Sequence, residues 1–341
     1  MRCLNALTLL LLASAEAFAT APSLDIGAPI VRSGIPSGSG LAQCANAYYG
    51  VSDSKGYLYT LDREMRVAET YPLRVERKPG SWLGRKIDPD FESIACFKAA
   101  GEEWLIVLGS GQRPGVSESG HLLLPRKPTH NYRRTMAPLY AQLATSVGRS
   151  AMPQLNIEGI AVAGNEVFLF QRGTYFFRFK LNEFLAYLRS ERESPPSFTT
   201  FEVILPKISD SASAFSGAEY WPEAKALIFT ASVETKHPDA PKGKRLASAL
   251  GLIDLDTLRA GAPLDLRPRT VVLKEAERTL HTKAESLLIS SSNECRIHGT
   301  LVSDNDDGKS VFRAFTLTQN VPATSRVTCP ESREDERQPR P

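Results

Sequence analysis

"LNIEGIAVAGNEVFLFQRGT", Leu155 to Thr174, holds two apolar runs joined by an Ala-Gly-Asn turn, with a carboxylate, Glu158, directly before the glycine that opens the first run. A run of four to eight apolar residues bounded by turn residues reads as a buried strand, and two such runs around a short turn read as a hairpin. A glutamate at the mouth of a core strand is out of place unless the position has a special geometry.

Four other stretches share that geometry. "SGLAQCANAYYGVSDS" from Ser39, "ESIACFKAAGEEWLIVLGSG" from Glu92, "SGAEYWPEAKALIFTASVE" from Ser216 and "ESLLISSSNECRIHGTLVSDND" from Glu285 each open on Glu or Ser, continue with Gly or Ser, and run into an apolar strand. Each then turns into a second strand that ends on a small or polar residue: Asp53, Ser110, Arg172, Ser232 and Asp304. Third strands follow in "YLYTLD", "YFFRFKLN", "LGLIDLD" and "VFRAFTLT", and fourth strands in "RVAETYPLRV", "FTTFEVILPKI" and "RTVVLKE". Repeated four-stranded meanders without helical crossovers predict an all-β fold, a β-propeller. The aligned starts are spaced by 53, 66, 58 and 69 residues. Five blades follow from the count, with six kept open because the long second and fourth units have room for a degenerate blade.

The excess length maps to insertions. "MAPLYAQLATSV" and "NEFLAYLRSE" place Met136, Leu139, Leu143 and Val147, and Phe184, Leu185 and Leu188, at helical spacing, which predicts short helices on blades two and three. The last unit lacks a fourth strand, and "LDIGAPIVRSG" near the N-terminus is a strand without a partner, so the two chain ends are expected to complete one blade together.

Residues 1–19 read as a signal peptide: Arg2 supplies the positive region, "LTLLLLASAEAFA" the apolar core and Ala17-Phe18-Ala19 the small-x-small cleavage pattern. The expected product is periplasmic or secreted, with a propeller over residues 20–329 and a charged, disordered tail over 330–341. The apolar run is shorter than the ~20 residues that span a bilayer, which argues against a membrane anchor. Formal net charge is +3 with no basic stripe, so nucleic acid is not an expected partner. Four cysteines lie beyond the signal peptide, and an oxidising compartment favours pairing neighbours, Cys44 with Cys96 and Cys295 with Cys329. The alternative is that Cys44 and Cys96 are small buried residues.

In a propeller the first strand of each blade lines the central channel, so Ser39, Glu92, Glu158, Ser216 and Glu285 are expected at one mouth of it. Three carboxylates gathered there repel unless protonated or bridged by a cation. A cluster of hard oxygens without histidine suits Ca2+, which nominates Glu92, Glu158, Glu285, Asp53 and Asp304 as ligands. Arg172, and Arg113 in "GSGQRP", bring positive charge for an anionic or other small-molecule substrate. The competing reading of Glu158 is structural, a carboxylate that ties one blade to the next. No G-x-S-x-G elbow, phosphate-binding loop or G-x-G-x-x-G motif is present.

The set "SGSGLA", "DPDFESIA", "LGSGQRP", "LNIEG" and "LVSDNDDG" is similar to exported bacterial propellers of unknown function, related in style to esterase-like phytases and SdiA-regulated proteins. The Glu-Gly start also resembles that of gluconolactonase-type propellers, a resemblance that implies a divalent metal on Glu158. Two functions are therefore expected as alternatives. One is a calcium-assisted hydrolase of phosphoester, ester or lactone substrates, with Glu92, Glu158, Glu285 and Arg172 as catalytic groups. The other is a non-catalytic propeller that binds a ligand or protein in the same funnel.

Overall fold

The computed structural model describes residues 21–44, 46–73, 89–148, 155–236, 244–305 and 308–319. Within them the chain forms five sheets of four or five strands around one axis, with two small two-stranded hairpins besides. Blade one is Gly38–Cys44, Ala47–Ser52, Tyr57–Leu61 and Val67–Pro72; blade two is Phe91–Ala99, Glu102–Gly109, Ser119–Leu124 and Lys127–Thr135. Blade three is Ile157–Ala163, Glu166–Gln171, Tyr175–Lys180 and Phe198–Ile204, and blade four is Ala214–Trp221, Ala226–Lys236, Lys244–Asp254 and Thr270–Val272. Blade five takes Ala284–Ser292, Arg296–Asp304 and Ser310–Thr318 from the C-terminal part of the chain. Its outer strand comes from the N-terminal part, Ser23–Ile26 and Ile30–Arg32, both antiparallel to Ser310–Thr318. The ring is thus closed by the two ends of the chain, as the sequence predicts, and the blade count is five.

The second strands explain why the ring holds. "LIVL" has no accessible surface at any of Leu105, Ile106, Val107 or Leu108. Successive side chains leave a strand on opposite faces. Leu105 and Val107 accordingly pack with Val51 and Leu58 of blade one, while Ile106 and Leu108 pack with Ile157, Ile160 and Leu169 of blade three. Blade three repeats the division: Val167 and Leu169 face blade two, and Phe168 and Phe170 join Phe215 and Phe229 of blade four. A continuous apolar run marks a strand buried on both faces. Among the described residues five such inter-blade cores form, the last two joining blade four to five around Trp221, Leu250 and Phe315, and blade five to one around Leu41, Leu288 and Phe312.

The insertions fall where the extra length predicts. Helix α1 (Ala137–Ser146) follows blade two and buries Leu139, Tyr140 and Leu143; helix α2 (Leu181–Leu188) joins the third and fourth strands of blade three. The long fourth unit carries an over-length central hairpin and the small hairpin Lys274–Glu275 with Arg278–Thr279 rather than a sixth blade. Blade two's outer strands, Ser119–Leu124 and Lys127–Thr135, were not among the strands read from sequence. The outermost is exposed or half-buried throughout, without regular alternation, and mostly polar, so it carries no apolar signal.

Cys44 and Cys96 form a disulfide with Cα atoms 5.6 Å apart, joining the inner strands of blades one and two. Cys295 is also disulfide-bonded, and Cys329, the partner expected for it, lies outside the described residues. The expected signal peptide and charged tail lie outside them as well. Among the described residues no helix is long and apolar enough to cross a membrane.

Candidate functional site

Each aligned start is a β-bulge. The pairing of inner with second strand skips one residue in every blade: Ser39, Glu92, Glu158, Ser216 and Glu285. A bulge residue has no partner in the ladder, and the strand bends there. The repeated polar position is therefore an inner-strand residue that the sheet leaves out of the ladder in every blade, and blade five leaves out Ser290 as well. The small residue after it is needed because the backbones converge. A Cβ on Gly159 would lie 2.9 Å from the Ala218 nitrogen, and one on Gly217 would lie 2.6 Å from the Glu285 carbonyl oxygen.

The two serines use this position to fasten blades. Ser39 donates to the Phe91 carbonyl of blade two, and Ser216 donates to the Ala284 carbonyl of blade five at 2.7 Å. The three glutamates come together as the sequence predicts: Glu158 and Glu285 are the charges that act most strongly on Glu92, followed by Asp90 and Asp53. Burial, reinforced by these four carboxylates, holds the Glu92 carboxyl well above the usual range.

Protein cations neutralise the rest. Arg172, at the end of the second strand of blade three, donates from Nη1 to Glu158 Oε1 at 3.0 Å, and Asn156 donates to the same oxygen. Arg172 Nη2 lies 3.7 Å from Glu234 Oε2 of blade four. Lys283 Nζ lies 2.5 Å from Glu285 Oε1 and 3.5 Å from the same Glu234 oxygen, and Lys244 Nζ sits 2.6 Å from Glu234 Oε1. Glu158 raises the Arg172 pKa against the opposing effect of burial. On Lys283 burial is the largest single effect and pulls down, but Glu285 and Glu158 together pull up by more, so the net shift is upward. Glu285 is itself raised, because burial and Glu158 outweigh Lys283. Its Oε2 is buried and accepts no hydrogen bond, and the same is true of Asn156 Oδ1.

The remaining predicted residues flank this cluster. Asp53 ends the second strand of blade one and acts on Glu92, whereas Asp304, at the equivalent place in blade five, is not among the principal charges on Glu92 or Glu285. Arg113 reaches Asp90 at 3.6 Å. Lys283 and Asn156 did not figure in the sequence reading, although a signal existed. They stand two residues before the aligned starts, at the position whose carbonyl takes the N–H of the second-strand end: Ser37 from Asp53, Asp90 from Ser110, Asn156 from Arg172 and Lys283 from Asp304. Glu234 and Lys244 lie on the over-length hairpin of blade four, outside the repeat, where no pattern points to them.

The donor set does not fit the expected calcium ion. One oxygen of Glu158 and one of Glu285 are engaged by Arg172 and Lys283, and a divalent cation between them would stand beside two protein cations. Among the described residues no group of three or more His, Cys, Asp or Glu is arranged to hold a metal ion.

The model of a family of unknown function, DUF6929, matches residues 34–317, which takes in all five aligned starts. No curated protein matches the chain. Among solved structures the chain is similar to glutaminyl cyclase from Myxococcus xanthus, at 8% identity and a TM-score of 0.48, over 89% of this chain and 100% of that one. It is similar to an alpha-L-arabinanase mutant from Cellvibrio cellulosa at 12% identity and a TM-score of 0.44, over 82% of this chain and 90% of that one. An endo-arabinanase from Bacillus licheniformis shows 12% identity and a TM-score of 0.38, over 82% of this chain and 92% of that one. The fold itself stands on the strand pairing above.

Proposed function

From the premise that the chain belongs to the DUF6929 family of unknown function, we propose that the charged mouth of its channel is an acid–base centre. It hydrolyses an uncharged ester, lactone or acetal bond and uses protein cations in place of a metal. The observation that supports it is the gathering of Glu92, Glu158 and Glu285 in environments that differ. Carboxyl groups whose surroundings push them apart supply an acid and a base at one pH. Glu92 is the proton donor to the leaving oxygen. Glu285 is the base: its free Oε2 accepts a proton from water, while Lys283 holds the other oxygen. Glu158 positions Arg172 through the 3.0 Å contact, and Arg172 with Lys283 balances charge as it develops.

Glu158, Glu234 and Glu285 offset the charge of Arg172 and Lys283, which argues against a phosphoester, since an anionic substrate would enter a mouth without excess positive charge. The Cys44–Cys96 disulfide supports action outside the cytoplasm. The second reading, a binding site without turnover, is favoured by the way Arg172 and Lys283 both end on Glu234, which cross-ties blades three, four and five.

The test is hydrolysis of neutral ester, lactone and glycoside panels, with phosphoesters alongside, in chelator and again in excess calcium. Turnover is expected in chelator, with a bell-shaped pH profile and a fall of about 10²–10⁴ in kcat for Glu92→Gln at unchanged fold. Turnover that requires calcium would restore the metal reading. Absence of turnover alongside measurable ligand binding would favour the second reading.

A further inference from the structure

We infer that the opposite mouth of the channel is a second ligand site, which takes an uncharged polyhydroxylated small molecule of the carbohydrate class. The reading is independent of the acid–base centre. The five inner strands start at the charged cluster and all run the same way along the channel, so their far ends meet at the other mouth. A cavity of about 880 Å³ opens there against Gln43, the Cys44–Cys96 disulfide, Glu219 and Ile289. An adjoining cavity of about 320 Å³ shares Cys96 and Glu219 and reaches Ile160 and Val162. All five blades therefore contribute, and the larger volume lies within the ~300–1,000 Å³ usual for small-molecule sites.

Two polar groups on the walls define the chemistry. Gln43 Oε1 is buried and accepts no hydrogen bond, so it lacks a donor. Glu219 takes a hydrogen bond from the Ile289 backbone, and burial pushes its carboxyl up to about 8, which leaves an O–H to give at neutral pH. A hydroxyl answers both, donating to Gln43 and accepting from Glu219. The charged side chains at the rim are of both signs, and Lys98 stands 3.8 Å from Glu103, so the rim selects neither anion nor cation. Phe97, Leu124 and Ile289 offer apolar surface to the C–H face of a sugar ring.

The test is saturation-transfer NMR followed by calorimetry on the full chain with neutral mono- and disaccharides as probes. At least one is expected to bind, and Gln43→Ala and Glu219→Ala should each weaken it about tenfold or more. Thermal melting checks that both variants fold. Binding that survives both substitutions, or is lost only in Glu92→Gln, would overturn the inference, as would the absence of binding by every sugar tried. Failure here leaves the hydrolysis assay untouched, because the two sites lie at opposite ends of the channel.

Discussion

Replacing Glu219 by glutamine should stabilise the protein, and by an amount that depends on pH. The Glu219 carboxyl titrates near 8 in the folded chain against 4.5 as its ordinary value, because burial disfavours the carboxylate. The folded state therefore holds a proton that the unfolded chain releases. A group raised in this way contributes stability that is fully present below pH 4.5 and is lost as the pH rises through 8. Between pH 4.5 and 7 the unfolded chain loses the proton while the folded one keeps it, a gap of 2.5 pH units against the ordinary value. At about 1.4 kcal/mol per unit, and discounted because the side chain is only part-buried, the loss is about 2–3 kcal/mol. Glutamine has the same shape, stays neutral in both states, and its carbonyl can still accept the Ile289 N–H. The variant should match the parent near pH 4.5 and exceed it by about 2–3 kcal/mol at pH 7. Guanidinium unfolding followed by fluorescence of the buried Trp104 and Trp221 measures both. The raised carboxyls of Glu92 and Glu285 titrate alike in the two proteins and cancel from the difference. A difference independent of pH, or a glutamine variant weaker than the parent at pH 7, would refute the reasoning.

Two further outcomes follow from the geometry. The Cys44–Cys96 bridge closes a loop of sequence separation 52, so removing it by Cys44→Ser with Cys96→Ser should cost about 4 kcal/mol by loop entropy; equal melting with and without reductant would contradict this. Arg172→Met leaves Glu158 buried without its cation and should cost about 3–5 kcal/mol, most of it regained when Glu158→Gln is added; a double variant as unstable as the single would show that the loss comes from packing instead.

The fold was legible because a propeller writes its geometry into the chain five times. The aligned Ser or Glu proved to be the bulge residue in every blade, and the apolar second strands are continuous because both faces are covered. Blade closure was equally readable, since a last unit one strand short and an unpartnered strand near the N-terminus leave one solution. What the sequence hid has two physical causes. The outer strand of blade two, "KPTHNYRRT", faces solvent and so carries no hydrophobic period. The countercharges of the glutamates come from places that are not equivalent: a second-strand end for Arg172, the residue two before a start for Lys283, and a blade-four extension for Lys244. Acidic residues recurring at one repeat position invite a metal when the cations that answer them are scattered. The opposite mouth was invisible for a similar reason, because Gln43 and Glu219 lie at different distances from their aligned starts.

Ring closure through the two chain ends also decides how the molecule responds to force. Ser23 stands opposite Thr318 and Arg32 opposite Ser310, so the ends enter the shared sheet side by side from the same edge. A pull that separates them loads one rung of the ladder at a time, Ser23 with Thr318 first, then Leu24 with Leu317, as a zip opens. Parallel ends would have met the same pull in shear, with every rung resisting at once. Peeling the N-terminal strands from Ser310–Thr318 therefore meets little mechanical resistance at the clasp. Once Ile30–Arg32 has peeled away, the inter-blade core around Leu41, Leu288 and Phe312 is the next barrier to opening the ring.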